Sequence, residues 1–441
     1  MIVALMRVKR PDAKVAALLA AVVAVIIVLV PFHAFLTVWL AGIFGHYVLL
    51  RLWKEILLFF LACGGVYLLY KDPKLRWKLI SYKLHWFLLA YLVVHLIWGI
   101  VALLTHAVTA EALGYAFIVN LRFLAFFLVV SAIAGYVPSM AKHWPKWVIW
   151  PLVVVIVFGL LQYFVLPYDF LSHVGYNENT IFPYETINHN IHHLRIMSTL
   201  RGANPLGAYL VVVLSLVGVM AWKRKSVWLS VLLAAGLLAL FLSFSRGAWI
   251  GMILSFLVIG WNLLPSARAR RYAVSGVLVF ALIGGLVAAA LWHNTTFQDT
   301  VFHTNSHSTV KVSSNQGHES ALKNGVMDLL RQPFGRGPGT AGPASVYNDH
   351  SARIAENYFI QIGQEAGWIG LLLFVAINVV VARALWRRRE QTLALGLVAS
   401  LVGISFINLL SHAWADDTLA YIWWGLAGIA ITSELGAKDE I

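Results

Sequence analysis

Long apolar runs, each about the length of a membrane-spanning helix, follow one another along almost the whole sequence. They lie at 15–31, 33–50, 52–70, 84–104, 113–136, 147–166, 204–222, 226–243, 246–263, 273–292, 366–386, 391–411 and 417–433. A helix needs about 20 apolar residues to cross the hydrocarbon core, where open strand edges cannot be satisfied. The pattern therefore predicts an all-α polytopic membrane protein.

The composition indicates that lipid is the solvent for most of these side chains. Of the 441 residues, 60% are hydrophobic and 12% are charged. A water-soluble globule could not bury so much apolar surface. A membrane β-barrel would show shorter segments of alternating polarity, so the pattern favours spanning helices.

The net charge of +14 lies largely in short basic clusters between the apolar runs. Examples are Lys223–Lys225, Arg268–Arg271 and Arg387–Arg389. Cytoplasmic loops of membrane proteins carry such clusters, whereas a protein that binds nucleic acid gathers them on one soluble face. We therefore predict twelve spans with both termini in the cytoplasm, and no nucleic-acid partner. One of the first three runs should then fail to cross by itself.

This topology places two polar stretches, 167–203 and 293–365, on the periplasmic side. They separate an N-terminal group of transmembrane helices (1–166), a central group (204–292) and a C-terminal group with a cytoplasmic tail (366–441). Functional residues concentrate in loops that a rigid scaffold holds in place. We expect the chemistry to lie in these two periplasmic loops.

The longer loop contains a segment with the spacing of an amphipathic helix. Over 317–330, the side chains of Leu322, Val326, Leu329 and Leu330 fall on one side. A loop of that length without secondary structure would be unusual. We therefore expect short amphipathic helices in this loop, lying at the membrane surface.

Arg195 and Arg201 end the shorter loop, just before Asn204 and Pro205 open the next span. A helix N-terminus attracts anions, and a guanidinium offers paired donors to phosphate oxygens. This first motif is a candidate diphosphate site. The alternative is that its arginines contact lipid phosphates at the membrane edge.

A second motif, Ser243 to Ala248, links two spans tightly and contains Arg246. An arginine held between helices at the membrane edge is costly unless it is paired, which makes Arg246 a candidate functional residue. Its alternative role is to cap the carbonyl groups that end the preceding helix.

Glycines alternate with other residues in a third motif, Gly335 to Gly339, which includes Arg336 and Gly337. Such glycines let the backbone turn sharply or approach a ligand. The run lacks the Lys-Ser/Thr ending of a nucleotide-binding P-loop. It is followed by Glu356-Asn357 and by Gly367 to Gly370.

Taken in order, these motifs resemble those of the O-antigen ligase and O-antigen polymerase superfamily. The resemblance rests on the arginines before Asn204-Pro205, on Ser-x-Ser-Arg-Gly at 243–247, on the glycine run, and on Asn357 followed after nine residues by Gly-x-x-Gly. It implies a fold like that of the GT-C glycosyltransferases, with about twelve transmembrane helices. It also implies inverting transfer of a glycan from undecaprenyl diphosphate to an acceptor hydroxyl, without a metal or other cofactor.

The resemblance further implies roles for single residues. Arg195, Arg201 and Arg246 would bind the donor diphosphate. The residues that would support the site are Asn357, Arg336, Gly337, Gly339 and Asp417.

The general base is where this sequence departs from the family. Histidine is expected before Asn357, and Glu356 stands there instead. A buried carboxylate can accept a proton from the acceptor hydroxyl, and so can the imidazole of His318, since histidine titrates near neutral pH. We predict Glu356 as the base and His318 as its partner, and the opposite assignment stays open.

Two groups of residues suggest a metal ion. The spacing of His189, His192 and His193 would place two of them on one helix face, but no acid or cysteine beside them completes a site. The pair Asp416-Asp417 we interpret as a solvated turn at the outer end of a span. We expect no metal.

The Asn-x₉-Gly-x-x-Gly spacing has the form found in the ligases of this superfamily. It implies a donor, undecaprenyl-diphosphate-linked O-antigen, an acceptor, lipid A-core oligosaccharide, and membrane lipids as further partners. The enzyme would lie in the bacterial inner membrane, with its active site facing the periplasm.

An O-antigen polymerase and a protein O-oligosaccharyltransferase are alternatives from the same superfamily. A polysaccharide-lipid transporter is the alternative from another class. It is disfavoured because the runs, apart from arginines at their edges, contain almost no ionisable groups.

Overall fold

Helices form most of the described chain. The computed structural model describes residues 12–80, 82–187, 190–264, 266–294, 298 and 314–437. The helices are α1 (Ala13–Leu29), α2 (His33–Phe44), α3 (Tyr47–Arg51), α4 (Trp53–Lys71), α5 (Pro73–Ile80), α6 (Lys83–Leu104), α7 (Ala110–Tyr136), α8 (Met140–Phe164), α9 (Ala203–Arg224), α10 (Val227–Leu242), α11 (Arg246–Leu263), α12 (Ala267–Ala290), α13 (Ser314–Arg331), α14 (Tyr358–Trp386), α15 (Thr392–Asn408) and α16 (Asp417–Ala437). Shorter 3-10 turns cover Val30–Phe32, Phe170–Val174, Gly342–Tyr347 and Ala413–Ala415, and β1 (Glu185–Ile187) pairs antiparallel with β2 (Asn190–Arg195). The predicted all-α polytopic membrane fold is confirmed.

Within the described residues, eight helices are long and apolar enough to cross a membrane. Two shorter apolar helices, α10 and α15, and two further long ones, α12 of 24 residues and α16 of 21, accompany them. The first two apolar runs form one candidate span, Ala13–Phe44, with Pro31 in the 3-10 turn between its halves. These helices can accommodate the twelve crossings expected from the sequence, and that number stays a prediction.

Helix α16 lies at the centre of the bundle and packs along α7. Its residues from Thr418 to Thr432 are buried throughout. The rings of Phe123 and Trp424 lie 4.7 Å apart, and those of Phe126 and Tyr421 lie 4.9 Å apart. Because lipid tails are as apolar as the side chains, close packing of this kind holds helices together in a membrane.

Small residues bring α9, α11 and α15 together. A Cβ added to Gly251 would lie 2.9 Å from the carbonyl oxygen of Gly403, and one added to Gly207 would lie 2.7 Å from the Cβ of Ala248. Glycine at such crossings lets backbones approach closely. The contact at Gly207 holds the second sequence motif against the start of α9, where the first motif ends.

The two ends of the bundle differ in charge. The ammonium of Lys223 donates to the carbonyl of Glu390, so two of the basic clusters lie at the same end. The opposite end, called the outer end below, carries the connecting segments 165–202, 332–357 and 409–416. This arrangement is the one that the positive-inside rule requires if both basic clusters are cytoplasmic.

The amphipathic segment predicted in the longer loop is helical and forms most of α13. Leu329 is buried, whereas Leu322, Val326 and Leu330 keep 41–60% of their surface exposed. A Cβ added to Gly363 would lie 3.0 Å from Leu329, which shows how closely α13 packs on the first part of α14. Its position at the membrane surface stays a prediction.

The third motif is tied to a buried carboxylate that the sequence does not single out. The backbone N–H of Gly339 donates to the Glu365 carboxylate at 2.8 Å, and the amide of Asn120 donates to it at 2.6 Å. Two residues later, α14 is interrupted at Gly367, where φ is +64°. The predicted end of the periplasmic loop, at 365, therefore falls beside a break in α14, which itself begins at Tyr358.

We predict that Gly337→Ala destabilises the protein by roughly 2–4 kcal/mol. Its φ is +102°, and an added Cβ would lie 2.4 Å from the Cβ of Ala102 and 2.8 Å from the carbonyl oxygen of Trp98. The apparent Tm of the purified protein in detergent measures the effect. The matched control is Gly114→Ala, since Gly114 is helical with nothing within 4 Å of an added Cβ. Equal Tm values for the two variants would contradict this prediction.

Candidate active site

A cavity of about 290 Å³ opens at the outer end of the bundle, and we call it the Glu356 cavity. Its walls come from β1, the first turns of α9 and the residues leading into them, Glu356 two residues before α14, the segment 409–416 and the start of α16. The polar residues that line it are Glu185, Arg201, Asn204, Glu356, Ser411, His412 and Asp416. The fold thus brings the first sequence motif to the position expected for the base.

Glu356 enters this cavity from a strained backbone. Its φ is +50°, in the left-handed region that residues with a Cβ rarely adopt. The next residue, Asn357, caps α14: its side-chain oxygen accepts from the N–H of Ile360 and its amide donates to the carbonyl of Leu409, both at 3.0 Å. Strain of this kind costs about 1–3 kcal/mol and clusters at functional sites. Asn357 therefore fixes the backbone beside Glu356, and its support of an active site stays a prediction.

Of the three arginines expected at the diphosphate, Arg201 is the one that lines the Glu356 cavity. Its guanidinium lies 3.5 Å from a carboxylate oxygen of Asp416, and its side chain is 47% exposed. That contact involves one nitrogen of the guanidinium, which carries five N–H donors in all.

Arg195 is committed to the protein scaffold. Its guanidinium lies 3.3 Å from the Glu185 carboxylate and donates to the carbonyl of Ser243 at 3.1 Å and to the side chain of Asn204 at 2.8 Å. These contacts join the hairpin to the first and second motifs. Arg246 begins α11 beside this junction and is half-buried.

Among the remaining predicted residues whose side chains the structure describes, none is found in the lining of the Glu356 cavity. Arg336 lines a separate cavity with His350 and Arg353. Gly337 and Gly339 shape the loop that Glu365 holds. His318 belongs to α13, and its side chain is not among those that the structure describes.

Asp417 is part of a buried ionic cluster, and this corrects two expectations from the sequence. Its carboxylate lies 3.0 Å from the ammonium of Lys54 and 3.2 Å from Nε2 of His33, and the guanidinium of Arg122 lies 3.8 Å from Glu55 and 3.9 Å from Asp417. Asp417 therefore does not lie in a solvated turn. The spans do contain ionisable groups, such as Arg122 within α7. Both expectations were wrong, because these charges have partners on other helices that compensate for their removal from water.

A second, larger cavity of about 530 Å³ lies on the other side of the aspartate pair, and we call it the Asp417 cavity. Arg201 lines both cavities, whereas Asp416 lines the first and Asp417 the second. The two cavities are therefore adjacent, with Arg201 and the aspartate pair at their border.

The suggested metal ligands do not come together in the described part of the chain. His193 lies in β2 and not on a helix, and His189 and the side chain of His192 are outside the described residues. Asp416 and Asp417 are already paired with Arg201 and Lys54. Among the residues described, no group of three or more metal-ligating side chains is found.

Residues 230–375 match the family model described as O-antigen ligase. This match supports membership of the O-antigen ligase superfamily. A comparison with curated proteins gives no match. The matched region contains the second and third motifs and Glu356, and these lie in the order that the superfamily resemblance requires.

Much of the Glu356 cavity lies outside the region that matches O-antigen ligase. Arg201, His412 and Asp416 fall before or after it. Sequence reasoning missed His412 altogether, since a histidine at a span end carries no motif. It also missed Lys54, for which the only signal was a charged interruption of an apolar run.

His412 should make the protein less stable in acid. Burial, together with the charge of Arg201, lowers the pKa of its imidazole to about 4. An unfolded chain binds that proton at about pH 6.5, so folding stability falls as the pH falls from there towards 4. We predict that the Tm of His412→Gln in detergent drops less over this window than that of the wild type.

The matched control for this effect is His173→Gln, which replaces an exposed loop histidine and should follow the wild type. Parallel Tm curves for the wild type and His412→Gln between pH 6.5 and 4 would show that His412 does not contribute.

Proposed function

We propose that this protein is an inverting, metal-independent glycosyltransferase that moves O-antigen polysaccharide from undecaprenyl diphosphate to a hydroxyl of lipid A-core oligosaccharide. The observation that carries the proposal is the Glu356 cavity. It combines a carboxylate, placed by a strained backbone in the region that matches O-antigen ligase, with a half-exposed arginine. A base and a phosphate-binding cation in one cavity are what this transfer needs.

The reaction is a single displacement. Glu356 removes the proton from the acceptor hydroxyl, and the oxygen attacks the anomeric carbon of the donor sugar. The bond between that carbon and the diphosphate oxygen breaks, and undecaprenyl diphosphate leaves with the electron pair. Attack opposite to the leaving group inverts the anomeric carbon, and a positioned base contributes about 10² to 10⁴ in rate.

Arg201 stabilises the charge that develops on the leaving diphosphate. Cationic and hydrogen-bonding groups that are already in place cost no reorganisation when the reaction occurs. In this proposal Arg195 acts mainly by holding the two arginine motifs together, and Arg246 approaches the same diphosphate from the start of α11. The positive charges do the work that a divalent cation does in other phosphate sites.

Glu356 is preferred over His318 as the base because it lines the cavity that Arg201 also lines. His318 lies on α13, which packs on the first part of α14, and it is the second candidate. Its assignment as a partner of Glu356 stays part of the proposal.

Two other functions are alternatives to the ligase: another enzyme of the superfamily, and a polysaccharide-lipid transporter. The Asn-x₉-Gly-x-x-Gly spacing favours the ligase over a polymerase or a protein O-oligosaccharyltransferase of the same superfamily. The buried cluster around Asp417 is a feature that a polysaccharide-lipid transporter also needs. Its charges, however, are paired with one another across helices, as a permanent structural cluster requires.

We predict that Glu356→Gln lowers transfer by purified protein at least about 10²-fold, because the amide keeps the shape of the side chain but cannot accept a proton. Donor binding should survive. The assay measures transfer from polyprenyl-diphosphate-linked glycan to lipid A-core in detergent. The control, Glu178→Gln, changes an exposed loop carboxylate and should be silent. Normal turnover of Glu356→Gln would remove the base role from Glu356.

The products of a deletion strain distinguish the superfamily members. Loss of a ligase leaves long polysaccharide chains on the lipid carrier, whereas loss of a polymerase leaves single repeats attached to core. We predict the first outcome when lipopolysaccharide and lipid-linked glycan are separated by gel. Core that carries a single repeat would identify a polymerase, and unprocessed glycan retained in the cytoplasm would identify a transporter.

A further inference from the structure

The Asp417 cavity has an aromatic wall. Tyr47, Tyr115 and Tyr347 line it, and each is half-buried. The rings of Tyr115 and Tyr347 lie 4.9 Å apart. The guanidinium carbon of Arg51 lies 5.6 Å from the centre of the Tyr47 ring and 6.0 Å from that of Tyr115. Aromatic faces and a cation thus meet on one side of the cavity.

Arg51 differs from the other cations around this cavity. Lys54 and Arg122 face Asp417 and Glu55, and Arg201 faces Asp416. Within the described part of the chain, Arg51 has no carboxylate partner and donates instead to the hydroxyl of Tyr115 at 3.2 Å. Its remaining donors are available to a ligand.

This combination fits a carbohydrate. The two faces of a sugar ring carry C–H groups that pack on aromatic rings, while its hydroxyls need donors and acceptors around the rim. The rings of Tyr115 and Tyr347, which are tilted by 45° to each other, supply aromatic surface, and Arg51 supplies donors beside it. The volume of about 530 Å³ lies in the range of small-molecule sites and leaves room for a short oligosaccharide.

The position of the cavity selects which sugars it would hold. Arg201, the proposed diphosphate contact, lines the Asp417 cavity as well, whereas Glu356, the proposed base, lines only the smaller of the two. The acceptor must reach Glu356, and the donor glycan must extend away from the diphosphate. The Asp417 cavity therefore lies on the donor side of the reaction centre.

We propose that the Asp417 cavity binds the sugars of the donor glycan that follow the reacting sugar, with Tyr115 and Tyr347 as the stacking surface and Arg51 as a hydrogen-bond donor. This inference rests on the proposed glycosyltransferase function and adds a binding site for the donor chain. It makes the length of the donor glycan, and not only its diphosphate, a determinant of binding.

The test compares two donors on the same polyprenyl diphosphate, one with a single sugar and one with a complete repeat unit. Tyr115→Leu and Tyr347→Leu should each raise KM for the longer donor about 3- to 10-fold, the range expected for loss of one aromatic contact. Their kcat should be unchanged, and KM for the single-sugar donor should stay near the wild-type value. Tyr115→Phe keeps the ring and should retain most of the binding.

Tyr70→Leu is the matched control, since Tyr70 is 72% exposed and outside this cavity. Equal losses with both donors in the Leu variants would show a structural role, and unchanged KM values would show no role at all. If the rise in KM depends on the anionic lipid content of the micelles and not on which donor is used, Arg51 and the two tyrosine rings bind a phospholipid headgroup. Each of these results overturns the inference. If the wild type transfers neither donor, it is the proposed function that fails.

Discussion

The carboxylate of Asp417, on the first residue of the central helix, holds the outer half of the bundle in one arrangement. Lys54 of α4, His33 of α2 and Arg122 of α7 all approach it within 4 Å. Charges taken out of water cost several kcal/mol each unless they have partners, so these side chains can be buried only together. The start of α16 is thereby fixed against three helices, and Asp416, the preceding residue, is directed to Arg201.

Both cavities depend on this arrangement. Asp416 and Arg201 form part of the wall between them, and Asp417 with its partners forms the inner wall of the larger one. Paired ionisable side chains inside a membrane bundle face its interior or a cavity, so this cluster gives the larger cavity polar surface at a defined place. The proposed donor sugars and the proposed base then lie on opposite sides of Arg201.

Arg195 and Arg201, both from the first motif, make two different kinds of contact. Arg195 joins the hairpin, the start of α9 and the link before α11 through hydrogen bonds of 2.8 and 3.1 Å. Arg201 instead keeps nearly half of its side chain exposed to the cavities. Glu365 acts on the third motif as Arg195 acts on the first two, since it holds the glycine loop through the N–H of Gly339. The short motifs thus supply both the contacts that join the helices and the residues of the proposed reaction centre.

The sequence by itself determined that the fold is built from apolar helices long enough to cross a membrane, and it determined the helix over most of 314–331. Hydrophobic length and periodicity act locally along the chain. It also singled out Glu356, because the Asn-x₉-Gly-x-x-Gly spacing is intact although Glu356 stands where the family has histidine. Only the tertiary structure decided which charges share a cavity. Arg201 and Asp416 are more than two hundred residues apart, and Lys54 and Asp417 are farther still. Pairing over such distances follows from helix packing, which apolar side chains specify by shape and which no local pattern of residues reports.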